Sequence, residues 1–200
     1  MRPAVLTTRR AWPADAETLA HTMTTGLETW RAFAPAGWSP PGPPFLAAHA
    51  RAALSNPDGW GLLAFCDGEP AAHVVLTRAD WTGPPAAMLW SLFVHVRWHG
   101  TGLGDRLHAA FVTRARELGY GQAWLATAAP HVRARRFYER RGWRVEGFPE
   151  EERGMPMVAY GRPLLPRPGG KETIERGCVH PTAIGRRPWR CCGRAAPRGT

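Results

Sequence analysis

The chain of 200 residues carries 26 Lys+Arg against 16 Asp+Glu, a formal net charge of +10, and 44% of its side chains are hydrophobic. That share suits one folded domain of ordinary size and excludes an intrinsically unfolded chain. No apolar run reaches the ~18 residues of a transmembrane helix, and MRPAVLTTRRAWPADAE has no apolar signal-peptide core before its first acids, so the sequence reads as soluble and cytoplasmic.

In chain order, residues 8–11 form a short first strand. Pro13 and Asp15 then open a helix with Ala16, Leu19, Ala20 and Met23 on one face. Gly26 separates it from a second helical stretch, Leu27 to Phe33. The Pro/Gly-rich segment 32–44 is too broken for regular structure, and helix returns over 45–54. GWGLLAFCDGEPAAHVVLTR places two apolar runs around Asp67-Gly68, a hairpin signal because both residues tolerate positive φ. MLWSLFVHV (88–96) is a buried strand. A helix from Thr101 to Leu118 aligns Leu103, Leu107, Ala110, Phe111, Ala115 and Leu118, and Gly119 ends it. QAWLATA (122–128) is a strand, Pro130 opens a helix that Gly142 closes, and WRVEGF and GMPMVAYGRPL are two final strands. The order implies a single α/β domain: a mixed, largely antiparallel sheet flanked by helices.

The domain spans 1–162. Residues 163–200 lack periodicity, are dense in Pro, Gly and Arg, and read as a disordered tail. That tail holds +6 of the net charge, leaving a mild +4 for the domain. This placement argues against nucleic acid as the partner; the tail offers only Trp189 for stacking. Cys66 stands alone, while Cys178, Cys191 and Cys192 crowd the tail, which is not a disulfide framework. With His180 they also miss zinc-ligand spacing, so no metal is expected.

Val94 to Leu107, VHVRWHGTGLGDRL, runs strand, glycine turn, helix, an arrangement that holds phosphate. Unpaired N–H groups at a helix N-terminus sit at the positive end of its dipole, and glycines let oxygens approach. A P-loop fails because Arg106-Leu107 stands where Lys-Ser/Thr is needed. A dinucleotide fingerprint fails because Asp105 takes its third glycine and QAWLATA lacks the ribose-binding acid.

His99-Gly-Thr-Gly102-Leu-Gly104 resembles the Q/R-x-x-G-x-G/A motif of the GNAT superfamily of N-acetyltransferases, and His131-Val-Arg-Ala-Arg-Arg-Phe137-Tyr138-Glu-Arg-Arg-Gly142-Trp143 resembles its N-x-x-A-x-x-[LF]-Y-E-x-x-G-F segment. The resemblance covers residues 8–162. His99 and His131 replace the family's Q/R and Asn, and Trp143 replaces its Phe. A register starting at Arg97 would restore the arginine but sits less well relative to the strand. Ala126 stands where the branch acetylating protein N-termini carries a glutamate.

The resemblance implies acetyl-CoA as acyl donor. His99, Gly100, Thr101, Gly102, Leu103, Gly104 and Asp105 would hold its pyrophosphate. Leu92, Phe93 and Val94 would line the pantetheine gap between splayed strands, with His131 beside it. A strand N–H would face the thioester oxygen, and Tyr138 would protonate the leaving thiolate as general acid. The acceptor is a primary amine of a small molecule or peptide. Glu28, His73, Ser91 and His95 are open as the base. Arg106, Arg135, Arg136 and Arg140 are open as partners of the 3′-phosphate, and Trp30, Trp38 and Trp60 as pocket walls. A charged His99 on the pyrophosphate would make affinity fall as pH rises through ~6.5; backbone N–H groups alone would not. A CoA-binding module without turnover is the alternative reading, and a homodimer is left open.

Overall fold

A computed structural model describes residues 5–79, 84–148 and 151–164. The sequence expectation of a disordered tail falls almost wholly on 165–200, outside the described residues. Asp15 accepts the Trp12 N–H (2.8 Å) and both amino groups of Arg9, bringing β1 (Leu6–Ala11) into a 3-10 turn and α1 (Ala16–Glu28). The glycine pattern predicts a break at Gly26; α1 instead runs through it. The ring of Phe93 lies where a Cβ would stand, 2.4 Å from its Cδ1, so this glycine serves close packing and not a turn.

After a 3-10 turn at Thr29–Ala32 and a loop comes α2 (Pro43–Ser55). Asp67 (φ 52°) and Gly68 (φ 84°) make the expected tight turn between β2 (Trp60–Cys66) and β3 (Glu69–Ala79). Then follow β4 (Ala86–Val94), a 3-10 turn at Val96–Trp98, α3 (Leu103–Glu117), β5 (Gln122–Ala128), α4 (Val132–Glu139), β6 (Arg144–Gly147) and β7 (Met157–Pro163). Leu164 continues the packing: its N–H bonds to the Gly121 carbonyl (2.9 Å), and its own carbonyl accepts from Arg116 Nε (2.6 Å).

The fold is a mixed α/β domain on a seven-stranded sheet of order β1-β2-β3-β4-β5-β7-β6. Every neighbouring pair is antiparallel except β4–β5. Each sheet face carries its own core. Leu19, Met23 and Leu27 of α1 and Leu46, Ala50 and Leu54 of α2 close on Leu63 and Val75. Leu103, Leu107 and Phe111 of α3 and Tyr138 of α4 close with Trp143 on Val74, Leu125 and Tyr160 of the other face. The helical period of three to four, read against a sheet period of two, sorts these residues onto opposite faces.

Two features of β4 shape what lies beside it. Val75 faces Ser91 while Leu76 faces Leu89, so Trp90 is the extra residue of a β-bulge. On its other edge β4 pairs with β5 only at Ala87↔Ala123 and Met88↔Trp124. Beyond those pairs the strands part.

Candidate active site

The parting opens a groove of about 2100 Å3 across the sheet. It exceeds the ~300–1,000 Å3 of an ordinary small-molecule pocket and can hold a long cofactor with a second substrate. Leu92, Phe93 and Val94 line it from β4, and Ala126 and Thr127 from β5. Beyond the bulge, successive residues again point to opposite faces: Leu92 and Val94 join the α3 core, and Phe93 joins the α1 core.

At one end the chain leaves β4 through Gly100 and Gly102, both at φ +81°, where a side chain would be strained. Gly102 caps α3, its carbonyl accepting from Arg106 N at 3.1 Å. The N–H groups of Leu103, Gly104 and Asp105 thus begin a 15-residue helix, with the dipole's positive end facing the groove. Gly104 packs against α4, where a Cβ would stand 3.4 Å from the Phe137 ring. Thr101 turns back, its hydroxyl donating to the Trp98 carbonyl (2.7 Å), and does not line the groove.

His99 is occupied on both ring nitrogens. Arg133 Nη1 donates to Nδ1 (2.9 Å), so Nε2 carries the proton and donates to the Val94 carbonyl (3.0 Å). Partial burial and the Arg133 charge hold its pKa below the ordinary value. A neutral imidazole stitching the loop to β4 leaves no cation there for a pyrophosphate. The cations at this end are Arg133, Arg140 and Arg141. Arg141 pairs with Asp105, donates to the Phe137 carbonyl (2.6 Å), and lies 3.6 Å over the Phe137 ring. Of the arginines singled out in the sequence, only Arg140 reaches the groove. Arg135 is held by the Tyr160 hydroxyl (3.1 Å) and the Ala129 carbonyl (3.2 Å).

Tyr138 projects from α4 into the inner wall of the groove, 9% exposed. Desolvation raises its pKa, so the phenol keeps its proton at neutral pH. His131 caps α4, its Nδ1 accepting from Ala134 N at 3.4 Å. Its ring packs on Phe33 (5.0 Å) and edge-on to Trp30 (5.8 Å), so it belongs to an aromatic wall opposite β4. Trp38 stacks on Trp30 at 6.1 Å, and Met155 and Met157 close the same cluster from the β7 side. Trp60 lies elsewhere, against α3 and away from the groove.

The candidate bases separate cleanly. Glu28 is exposed, ion-paired with Arg31 at 2.5 Å, and outside the groove. His95 stacks on His21 (5.9 Å), also outside. Ser91 lines the groove and bonds to the fully buried His73, whose Nε2 lies 3.0 Å from the Ser91 hydroxyl. On the far side His73 Nδ1 is 2.5 Å from Thr22 Oγ1, which donates to the Leu19 carbonyl (2.9 Å). Thr22 therefore accepts from Nδ1–H, and Ser91 donates to Nε2. Burial lowers the His73 pKa to about 3, so the ring is neutral. The sequence names His73 and Ser91, but the chain Thr22–His73–Ser91 joins residues 51 and 18 positions apart. The residues missed altogether, Trp90, Trp124, Arg133, Arg141 and Met155, come from four segments: β4, β5, α4 with its C-terminal turn, and the stretch before β7. Of these, only Arg133 and Arg141 had a local signal: they lie within the segment, His131 to Trp143, that carries Tyr138.

A profile of the acetyltransferase (GNAT) family matches residues 25–143. The chain belongs to this family. Solved structures with the same fold include the ribosomal-protein-S18-alanine N-acetyltransferase of Escherichia coli, 15% identical, with TM-score 0.61, covering 85% of this chain and 99% of that one. The PaiA N-acetyltransferase of Thermoplasma acidophilum, solved with coenzyme A, is 16% identical, with TM-score 0.58 and coverage of 80% and 99%. Nourseothricin acetyltransferase is 20% identical, with TM-score 0.59 and coverage of 80% and 99%. No curated protein matches the chain. This GNAT domain is thus an acyltransferase by family, and no helix among its described residues is long and apolar enough to cross a membrane.

Proposed function

We propose that the protein transfers an acetyl group from acetyl-CoA to a primary amine of a small molecule or peptide by direct attack. The observation that carries this reading is the parted β4–β5 pair, with a glycine-capped helix at one end and a buried tyrosine on its wall. The transferase domain, drawn from the sequence as 1–162, in this reading extends to Leu164, because β7 ends at Pro163 and Leu164 packs in the core.

The residues fit the donor. The N–H groups at Gly102, Leu103, Gly104 and Asp105, with Gly100 turning the chain, face its pyrophosphate. Arg133, braced by His99, adds charge beside them. Leu92, Phe93 and Val94 offer a strand edge that β5 leaves uncovered, and this edge fits the amide-bearing pantetheine arm. When bound, the donor supplies an activated thioester. In this reading an N–H next to the Trp90 bulge would donate to its carbonyl oxygen. The neutral amine then forms the new C–N bond as the C–S bond breaks. Tyr138 gives its proton to the departing sulfur, and the excess proton on nitrogen returns the phenol to its starting state. Desolvation of Tyr138 keeps the phenol protonated at neutral pH, the state from which it would donate.

Thermal unfolding with acetyl-CoA, NAD and ATP tests donor choice. Acetyl-CoA at ~100 times its dissociation constant adds ~2.7 kcal/mol, a midpoint rise of a few degrees. Saturating acetyl-CoA without a rise overturns the reading. Tyr138→Phe tests turnover: kcat should fall ~10²–10⁴-fold with acetyl-CoA affinity intact, whereas a binder without turnover has no rate to lose.

A further inference from the structure

The acceptor end of the groove differs in chemistry from the phosphate end. Trp30 and Trp38 stack at 6.1 Å, and Phe33 lies 6.1 Å from Trp30. Met155 and Met157 back this wall, and Met88, Trp90 and Trp124 line the floor where β4 and β5 still meet. Aromatic walls backed by thioether sulfur suit a flat apolar body, which stacks on the rings at little conformational cost.

The polar groups here suit an extra cation poorly. Among the described residues, five arginines line the groove against three carboxylates. Asp105 is already paired with Arg141 at the phosphate end. The remaining two, Glu146 and Glu152, lie toward the β6–β7 rim, where burial pushes the Glu152 carboxyl toward its neutral form. At the floor, the buried Nε1–H of Trp124 has no hydrogen-bond partner in the protein. It is a donor, so it can meet a substrate oxygen but not a second ammonium. A polycationic acceptor needs a row of carboxylates, and among the described residues this wall holds tryptophan, phenylalanine and methionine, with only Glu152 beside it, bonded through its main chain to Met155.

Resting on the acetyltransferase reading above, we propose that the acceptor is a primary amine on a flat aromatic body with no second positive charge, seated between the Trp30–Trp38 stack and Met155. His131 takes part in this specificity by holding Trp30 edge-on, and packing on the tilted Phe33 ring, at the α4 cap. The amine nitrogen forms the C–N bond to the acetyl carbon and loses one proton, while the donor's C–S bond breaks and its sulfur gains one.

The test uses the full chain with acetyl-CoA and follows release of free CoA thiol. Acceptors are 2-phenylethylamine, tryptamine, hexylamine, spermidine, kanamycin and a tripeptide beginning with phenylalanine. The proposal expects kcat/KM for the aromatic amines about 10-fold or more above hexylamine, and further above the two polycations. Better turnover of the tripeptide than of the free amines would assign the aromatic amine to a peptide end; the reverse would assign it to a small molecule. Spermidine or kanamycin leading, or hexylamine matching the aromatic amines, overturns the proposal. So does no turnover of any aromatic acceptor while acetyl-CoA still raises the unfolding midpoint. If acetyl-CoA gives no midpoint rise, the transferase reading falls first and this one with it. Trp38→Leu and, separately, Trp30→Leu should raise KM for 2-phenylethylamine about 10-fold with KM for acetyl-CoA unchanged. Unchanged KM for the amine in two variants that still bind acetyl-CoA overturns the seat.

Discussion

Acid should destabilise this domain through two buried histidines before its carboxylates titrate. His73 is wholly enclosed, with its pKa lowered to about 3 by burial. His108 is 5% exposed, accepts the Trp143 indole N–H at 2.9 Å, and is lowered to about 4 by burial and then by Arg162. In the unfolded chain both return to ~6.5. A depressed folded value means the folded state refuses the proton that the unfolded state takes up, so stability is complete above pH ~6.5 and is lost as pH falls toward the folded values. At pH ~4.5 His73 alone costs about 2.7 kcal/mol and His108 about 2.6, together about 5 kcal/mol against a typical total of ~5–15. Urea unfolding from pH ~8 to ~4.5 measures this, with His73→Gln as the perturbation. Glutamine can donate to Thr22 and accept from Ser91, so it keeps the polar chain while removing the titration. The variant should lose about 2 kcal/mol less than wild type between pH ~6 and ~4.5. Parallel stability curves for the two proteins would refute the reasoning. The same neutrality fixes the direction of the Ser91 hydroxyl, so a charged His73 would turn it away and disturb β4 beside the groove.

Three further outcomes follow from named contacts. Acetyl-CoA affinity should stay flat between about pH 6.5 and 8.5, because His99 is already neutral, while Arg133→Ala raises the dissociation constant several-fold; calorimetric titration across that range checks both, and a steady weakening with pH returns a charge to His99. Gly102→Ala forces a Cβ into φ +81° at the helix cap, and should lower stability by ~1–2 kcal/mol and raise the KM for acetyl-CoA; an unaltered KM removes the loop from the donor site. Gly26→Ala gains ~1 kcal/mol of helix propensity yet drives a methyl against Phe93, an overpacking cost of ~1–3 kcal/mol. Its net destabilisation should vanish in Gly26→Ala/Phe93→Leu, and additivity in that double-mutant cycle would show the contact to be unimportant.

Local chemistry was legible where the backbone itself imposes it. Asp67-Gly68 and Gly100-x-Gly102 adopt the left-handed φ their types suggest, and Gln122–Ala128 is the strand its alternation describes. Gly26 misleads because its reason for being glycine lies 67 positions along the chain, in the ring of Phe93. The Trp90 bulge leaves no mark in a run of apolar residues, since its signal is the register of β3 against β4. The contacts of His99 and His131 were not legible. One set is decided by an arginine on α4, and the other by aromatics from the segment after α1. The aromatic wall is least legible of all, for Trp30, Phe33 and Trp38 from the segment after α1 meet Met155 and Met157 through the fold alone.

The two-residue seam between β4 and β5 also has a mechanical meaning. β1–β4 and β5–β7–β6 are each continuously laddered, and along the sheet only those two pairs stitch one half to the other. Past Met88 and Trp124 the facing N–H and C=O groups of the strands exchange no bonds with each other, so these are the main-chain groups most open to solvent exchange from that edge. A molecule lying along β4 therefore acts as a short extra strand, and its binding should register as slowed exchange of the β5-facing amides between Leu89 and Val94. The sheet works as a book whose spine is two residues long and whose reading distance is set by what lies between the pages.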